Sequence, residues 1–152
     1  MKINLKKLLI YIIITFLIGS FFALFINNMN LYNNLNKPIN IPGIVFPIVW
    51  SILYLLMGIS VYIISESNDS NKKQAIKTYF VQLIVNSLWT LIFFGFKLYI
   101  LSFIWILLLT VLVVIMIIKF YKINKLAGLI NIPYLLWLLF ASYLNLGIIL
   151  LN

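Results

Sequence analysis

Residues 99–118 carry no charged side chain, and most of them are Leu, Ile and Val. As an α-helix rising about 1.5 Å per residue, this run is about 30 Å long, the thickness of a bilayer's hydrocarbon core. Inside that layer no water satisfies backbone N–H and C=O groups, so the run must be helical. Four further apolar stretches of similar length lie at about 8–26, 44–64, 76–96 and 126–150. Composition closes off a soluble alternative. Hydrophobic residues make up 65% of the 152 and charged residues only 9%, against about 25% charged in a typical soluble domain. The expectation is an all-α integral membrane protein: one domain, residues 1–152, built as a bundle of five transmembrane helices.

The charge pattern sets an orientation. All 11 cationic side chains are lysines, against Glu66 and Asp69, for a net charge of +9. Lys2, Lys6, Lys7, Lys72, Lys73, Lys77, Lys119, Lys122 and Lys125 fall at one end of the alternating spans, and only Lys37 and Lys97 at the other. Positive charge collects on the cytoplasmic side. The N-terminus is therefore expected in the cytoplasm and the C-terminus outside, in a bacterial cell membrane. The lysines flank apolar segments and form no stripe of the nucleic-acid-binding kind, so no nucleic-acid partner is expected and the lipid bilayer is. The lysine-rich start followed by an apolar run also resembles a signal peptide. That run is long for one, and the polar stop from Asn27 to Asn30 replaces a cleavage site.

Several chemistries are excluded outright. The chain has no cysteine and no histidine, so thiolate nucleophiles, imidazole bases and metal sites built on either cannot form. No metal site is expected. Glu66 and Asp69 sit in the polar segment 65–74, read as a solvated loop. No acid/base machinery is visible, so an enzyme is not the leading reading.

The polar and aromatic residues within the spans carry the rest. Trp50, Tyr54, Met57 and Val61 recur at i, i+4, i+7 and i+11, one face of a helix. Gln82, Asn86, Trp89 and Phe93 repeat that spacing. An amide at membrane depth must find a partner, so Gln82 and Asn86 are expected to face the bundle interior. Trp137, Ala141 and Asn145 share a third stripe, with Tyr134 and Leu144 beside it. Pro133 is expected to kink the last span. Gly19 and Ala23 form a small-residue pair of the kind that permits close helix approach.

Three blocks together resemble the TspO/MBR family, the tryptophan-rich sensory and translocator (peripheral benzodiazepine receptor) proteins. The first is Lys37-Pro38 with Pro42-Gly43 and the run from Phe46 to Gly58, which carries Val49-Trp50, Leu53-Tyr54 and Met57-Gly58. The second runs from Gln82 to Trp89 with Phe93-Phe94-Gly95. The third runs from Pro133 to Asn145. The resemblance implies a five-helix bundle, commonly a homodimer, with a capping loop between helices 1 and 2. It also implies a cavity binding tetrapyrroles such as protoporphyrin IX and haem as ligands, with no cofactor required. By motif position, Trp50, Tyr54, Asn86, Trp89, Trp137, Ala141 and Leu144 are the implied ligand-binding residues. If bound porphyrin is broken down oxidatively or photo-oxidatively, Trp50 and Trp137 are the implied redox residues. The loop at residues 37–43 departs from the family pattern, lacking its tryptophan and one proline. No basic residue follows Tyr143, so no cholesterol-recognition motif is present. Two other functions remain open: a transporter of a small amphipathic solute, and a regulatory membrane protein with a vestigial cavity.

Overall fold

The computed structural model describes residues 2–26 and 29–152, and is all-helical with no strand among them. Asn27 and Asn28, half of the expected polar stop, lie outside the described residues. The elements are α1 (Leu5–Gly19), a 3₁₀ turn (Phe22–Leu24), α2 (Met29–Asn34), α3 (Val45–Glu66), α4 (Lys72–Thr90), α5 (Tyr99–Ile123), α6 (Lys125–Leu129) and α7 (Ile132–Leu151). A π-helical turn, Leu91–Gly95, extends α4. Among the described residues, four stretches are long and apolar enough to cross a membrane: Val45–Glu66, Lys72–Gly95, Tyr99–Ile123 and Lys125–Leu151.

The first apolar segment behaves differently. α1 stops after 15 residues, about 22 Å of helix at the standard rise. The break at Gly19 leaves α1 with terminal carbonyls that need donors, and the Tyr54 hydroxyl supplies one, 2.9 Å from the Gly19 oxygen. The Ser20 hydroxyl turns back to the Phe16 carbonyl. A Cβ on Gly19 would lie 2.4 Å from the Tyr54 ring. Gly19 is thus a close-approach residue, while Ala23 lies beyond the helix in the 3₁₀ turn.

The last apolar segment also breaks. Pro133 does not kink a continuous helix. α6 ends at Leu129, and α7 starts again with the proline in its first turn. There its missing N–H is one of those that would find no helical partner anyway. Asn124 caps α6, its side chain accepting from the Ala127 N–H. Asn131 then ties the break to α3, donating to the Ser60 hydroxyl at 2.6 Å.

α1 packs on α3, α4 on α5, and α5 on α7. Met57, Val61, Ile64, Tyr79, Leu83, Val113, Met116, Phe120 and Leu138 are inaccessible at the centre. α5 buries the least of the four long helices. Its Ile100, Ile104, Leu108, Val111 and Ile118 point outward, as a lipid-facing ridge requires. Polar groups stitch the helices together. The Trp105 indole donates to the Val85 carbonyl at 2.8 Å, and Ser102 bridges α5 to Asn145 of α7 at 2.9 Å.

The ends are tied by charge and loop contacts. Glu66 is the last residue of α3 and pairs with Lys7, so it is not part of a free solvated loop. That pairing raises the Lys7 pKa. Asp69 stays in the turn and accepts the Asn71 N–H. The α4–α5 turn is so tight that Lys97 takes φ 57°, a left-handed conformation that favours glycine. At the same end of the bundle, the 36–43 connection lies against α7. Asn36 and Asn152 exchange two hydrogen bonds, at 3.1 and 2.9 Å. The Pro38 ring sits where a Cβ on Gly147 would be, 2.3 Å away. Lys37 caps α2, donating to the carbonyls of Tyr32, Asn33 and Leu35.

Candidate functional site

An aromatic wall forms because α3 repeats a ring every helical turn. Phe46, Trp50 and Tyr54 are spaced at i, i+4 and i+8, so their side chains stack along one face. The Trp50 and Tyr54 rings lie 5.5 Å apart at 28°. Trp50 meets the Tyr134 ring of α7 edge-on at 6.0 Å. On α4, Trp89 stacks on Phe93 at 5.1 Å.

Two spaces flank this wall. A cavity of about 560 Å³ lies between the C-terminal part of α1 with its 3₁₀ turn, α3 and α4. Phe16, Ser20, Ala23 and Leu24 form one side of it, and Phe46, Trp50, Ser51, Tyr54, Trp89, Thr90 and Phe94 the other. Phe46, Trp89 and Phe94 also line a second, much smaller gap of about 10 Å³, together with Tyr32, Phe93, Ala141, Leu144, Asn145 and Ile148. A larger groove, about 670 Å³, runs along the outside between Lys97–Leu101 and the end of α7. It contains none of the aromatic stripe residues and is mostly aliphatic.

The seven residues singled out from the sequence therefore do not share one space. Trp50, Tyr54 and Trp89 line the cavity, and Trp89, Ala141 and Leu144 line the gap. Trp137 lines neither; its ring packs on Phe46 at 5.7 Å and on Phe140 at 5.5 Å. Asn86 is fully occupied between helices. It donates to the Tyr134 hydroxyl at 2.7 Å, and its Oδ1 lies 3.1 Å from the Tyr54 hydroxyl. Tyr134 donates onward to Gln82 Oε1 at 2.8 Å, and Gln82 reaches the Met57 sulfur at 3.7 Å. This chain of polar groups joins α1, α3, α4 and α7 through an otherwise apolar core.

The residues that sequence reasoning missed are Phe46, Tyr32 and Phe16. Phe46 lines both spaces, as Trp89 and Phe94 do, and its position four before Trp50 was the available signal. Tyr32 is 2% exposed and meets Phe46 edge-on at 4.8 Å. The Lys37 ammonium stands 4.6 Å from the Tyr32 ring centre. Burial pushes the Tyr32 pKa up, so its hydroxyl remains a proton donor at neutral pH. The cavity lining carries rings, hydroxyls and aliphatic groups, a surface for a flat apolar ligand.

The comparisons with known proteins agree with the pattern of these stripes. The TspO/MBR family model matches residues 9–151. The chain belongs to the TspO/MBR family. It is 36% identical over 122 residues to the tryptophan-rich protein TspO of Archaeoglobus fulgidus, covering 80% of this chain and 79% of that one. The tryptophan-rich sensory protein of Cereibacter sphaeroides is 35% identical, with 80% and 76% covered. Protein CrtK of Rhodobacter capsulatus is 34% identical, with 80% and 78% covered. TspO/MBR membership and several long apolar helices make this a multi-pass membrane protein.

Proposed function

We propose that this TspO/MBR chain is a membrane receptor or sensor that holds a tetrapyrrole, protoporphyrin IX or haem, in the aromatic cavity beside Trp50. The observation that carries this reading is the cavity itself. At about 560 Å³ it falls within the range of small-molecule sites, about 300–1,000 Å³. Trp50, Tyr54, Trp89, Phe46 and Phe94 offer ring faces to a macrocycle, and Ser20, Ser51 and Thr90 offer hydroxyls to its edge. Among the described residues, no carboxylate or ammonium lines the cavity, which favours binding and signalling over acid/base turnover. The relative named as a sensory protein points the same way.

Titration of the purified protein with protoporphyrin IX is expected to quench tryptophan fluorescence saturably. Trp50→Ala is expected to weaken binding about 30-fold or more, the range of a buried aromatic anchor. Trp137→Ala is expected to act less, because its ring reaches the cavity only through Phe46. Unsaturable quenching, or Trp50→Ala binding like wild type, would remove the basis of this reading.

In the bilayer, α1 with its 3₁₀ turn acts as a fifth span, short enough to require local thinning or tilt of its neighbours. The nine-lysine end faces the cytoplasm. Because the chain lacks cysteine, single-cysteine reporters are clean. In intact cells, a membrane-impermeant maleimide is expected to label Asn40→Cys and to spare Asn68→Cys. The reverse pattern would invert the topology.

A further inference from the structure

The groove on the outside of the bundle shares no lining residue with the aromatic cavity. It holds about 670 Å³ between the α4–α5 turn, the start of α5 and the end of α7. Hydrogen bonds fix α5 to α7 beside it. Asn145 donates to the Tyr99 carbonyl at 3.0 Å and accepts from the Ser102 hydroxyl at 2.9 Å. Ile148 lines the groove and is itself buried. Leu98, Ile100, Leu101, Ile104 and Ile149 complete an aliphatic wall. Ile100 and Ile104 belong to the outward ridge of α5, so the groove opens to the bilayer. Left empty, it would cost its lining the dispersion contacts that a well-fitted neighbour supplies.

Lys97 is the charged residue of this lining. It is exposed, and its ammonium makes no hydrogen bond or ion pair among the described residues. Lys37, the other lysine at this end of the bundle, is already held by the carbonyls of Tyr32, Asn33 and Leu35. Lys97 also stands at a position where glycine would be unstrained, with φ 57°. The N–H groups on either side are tied down, Phe96 to the Leu91 carbonyl at 2.9 Å and Leu98 to the Ile92 carbonyl at 3.1 Å, so the turn has no slack to relieve it. The 25 residues of α5 rise about 37 Å, more than the ~30 Å of a hydrocarbon layer. Lys97 precedes that helix, which puts its ammonium at headgroup level while Ile100 and Ile104 stand among the lipid tails.

We propose that this groove is a site for one anionic glycerophospholipid from the leaflet opposite the nine-lysine end, its phosphate on Lys97 and one acyl chain along Ile100, Ile104 and Ile149. Charge selects this occupant. A second copy of the chain would bring no anion, because its two acids, Glu66 and Asp69, lie at the far end of the bundle and this end carries only Lys37 and Lys97. A zwitterionic headgroup would bring an ammonium with no carboxylate to receive it. An anionic lipid neutralises the free cation, as headgroups do in basic pockets between transmembrane helices, and its flexible chain fills the aliphatic groove. The site is independent of what the aromatic cavity holds.

The test is native mass spectrometry of the detergent-solubilised protein mixed with equal amounts of dioleoylphosphatidylglycerol and dioleoylphosphatidylcholine. Wild type is expected to retain the phosphatidylglycerol about fivefold or more over the phosphatidylcholine. Lys97→Gln is expected to lower that ratio about fivefold, the worth of one lysine near an anionic headgroup, and Lys97→Arg to keep it. Lys97→Gly is expected to melt at or above the wild-type temperature and still to lose the preference, which separates the lipid contact from the fold. Ile104→Trp changes an exposed residue and leaves Lys97 intact, yet fills the groove, so it is expected to lower retention of both lipids. Lys122→Gln, at the nine-lysine end, is expected to change the ratio less than twofold. Equal retention of the two lipids by wild type would overturn the anionic assignment. Equal effects of Lys97→Gln and Lys122→Gln would reduce it to diffuse attraction and overturn the site. A lipid-free wild-type dimer that Ile104→Trp splits into monomers would make a second copy the occupant, and would overturn it as well.

Discussion

Replacing Gly58 by leucine is expected to detach α1 from α3 and to lower the thermal midpoint of the detergent-solubilised protein by about 6–12 °C. A Cβ on Gly58 would lie 2.8 Å from the Ile12 Cα and 3.2 Å from its backbone nitrogen. Those atoms belong to the axis of α1, so no rotamer change can relieve the contact. Overpacking costs about 1–3 kcal/mol where neighbouring side chains can yield, and backbone contact puts this site at the upper end. For a chain of this size, about 3 kcal/mol corresponds to the shift stated. Gly95→Ala provides the control. Its new Cβ would meet only the ends of the Leu91 and Ile26 side chains, at 3.0 and 3.2 Å, and its midpoint is expected to stay within about 2 °C of wild type. The consequence extends to the site, because Phe16, Ser20 and Ala23 are one side of the cavity. Gly58→Leu is therefore also expected to abolish saturable porphyrin binding. Equal melting of the Gly58→Leu and wild-type proteins would show that α1 is not close-packed on α3.

The parts of this architecture that were legible in the sequence are those decided locally. An uncharged run such as 99–118 has one solution in a bilayer, and α5 adopts it. The stripes were legible as well. Gln82, Asn86, Trp89 and Phe93 are all buried, because an amide in hydrocarbon must turn inward. What was not legible depends on partners far away in the chain. α1 ends at Gly19, where the hydroxyl of Tyr54, 35 positions on, donates to the free carbonyl. Nothing near Gly19 announces that. The restart at Pro133 is similar. A proline in an apolar run allows either a kink or a break, and the Asn131–Ser60 bond ties the turn between α6 and α7 to α3 at the break. Trp137 illustrates the limit of periodicity. Its stripe neighbour Ala141 lines the gap, yet the Trp137 ring is turned onto Phe46 and Phe140. A large side chain goes where its rotamers and neighbours leave room, and period alone does not say where that is.

The buried polar chain predicts a strongly non-additive pair of substitutions. Gln82→Leu and Asn86→Leu are each expected to cost about 1 kcal/mol or less, while the double variant is expected to cost about 1–3 kcal/mol more than their sum. The reason is proton accounting. Each tyrosine hydroxyl has one proton to donate. Without Asn86, Tyr54 still donates to the Gly19 carbonyl and Tyr134 to Gln82 Oε1. Without Gln82, the Asn86 amide can reverse, accept from Tyr134 through Oδ1, and donate to the Tyr54 oxygen through Nδ2. With either amide alone, both hydroxyl protons therefore keep an acceptor. Remove both, and the Tyr134 hydroxyl, 1% exposed, keeps its proton with no acceptor in a low-dielectric interior. Coupling between polar groups in membrane proteins averages only about 0.6 kcal/mol, because partners are usually replaceable. Here the replacement exists for either single loss and is exhausted by the double one. Adding Tyr134→Phe to the double variant removes the stranded hydroxyl and is expected to recover most of the excess. Equilibrium unfolding of the four amide variants and the triple variant in one detergent measures the cycle. Additive costs, or a triple variant no more stable than the double, would show that Tyr134 finds another acceptor and that the chain is not a closed circuit.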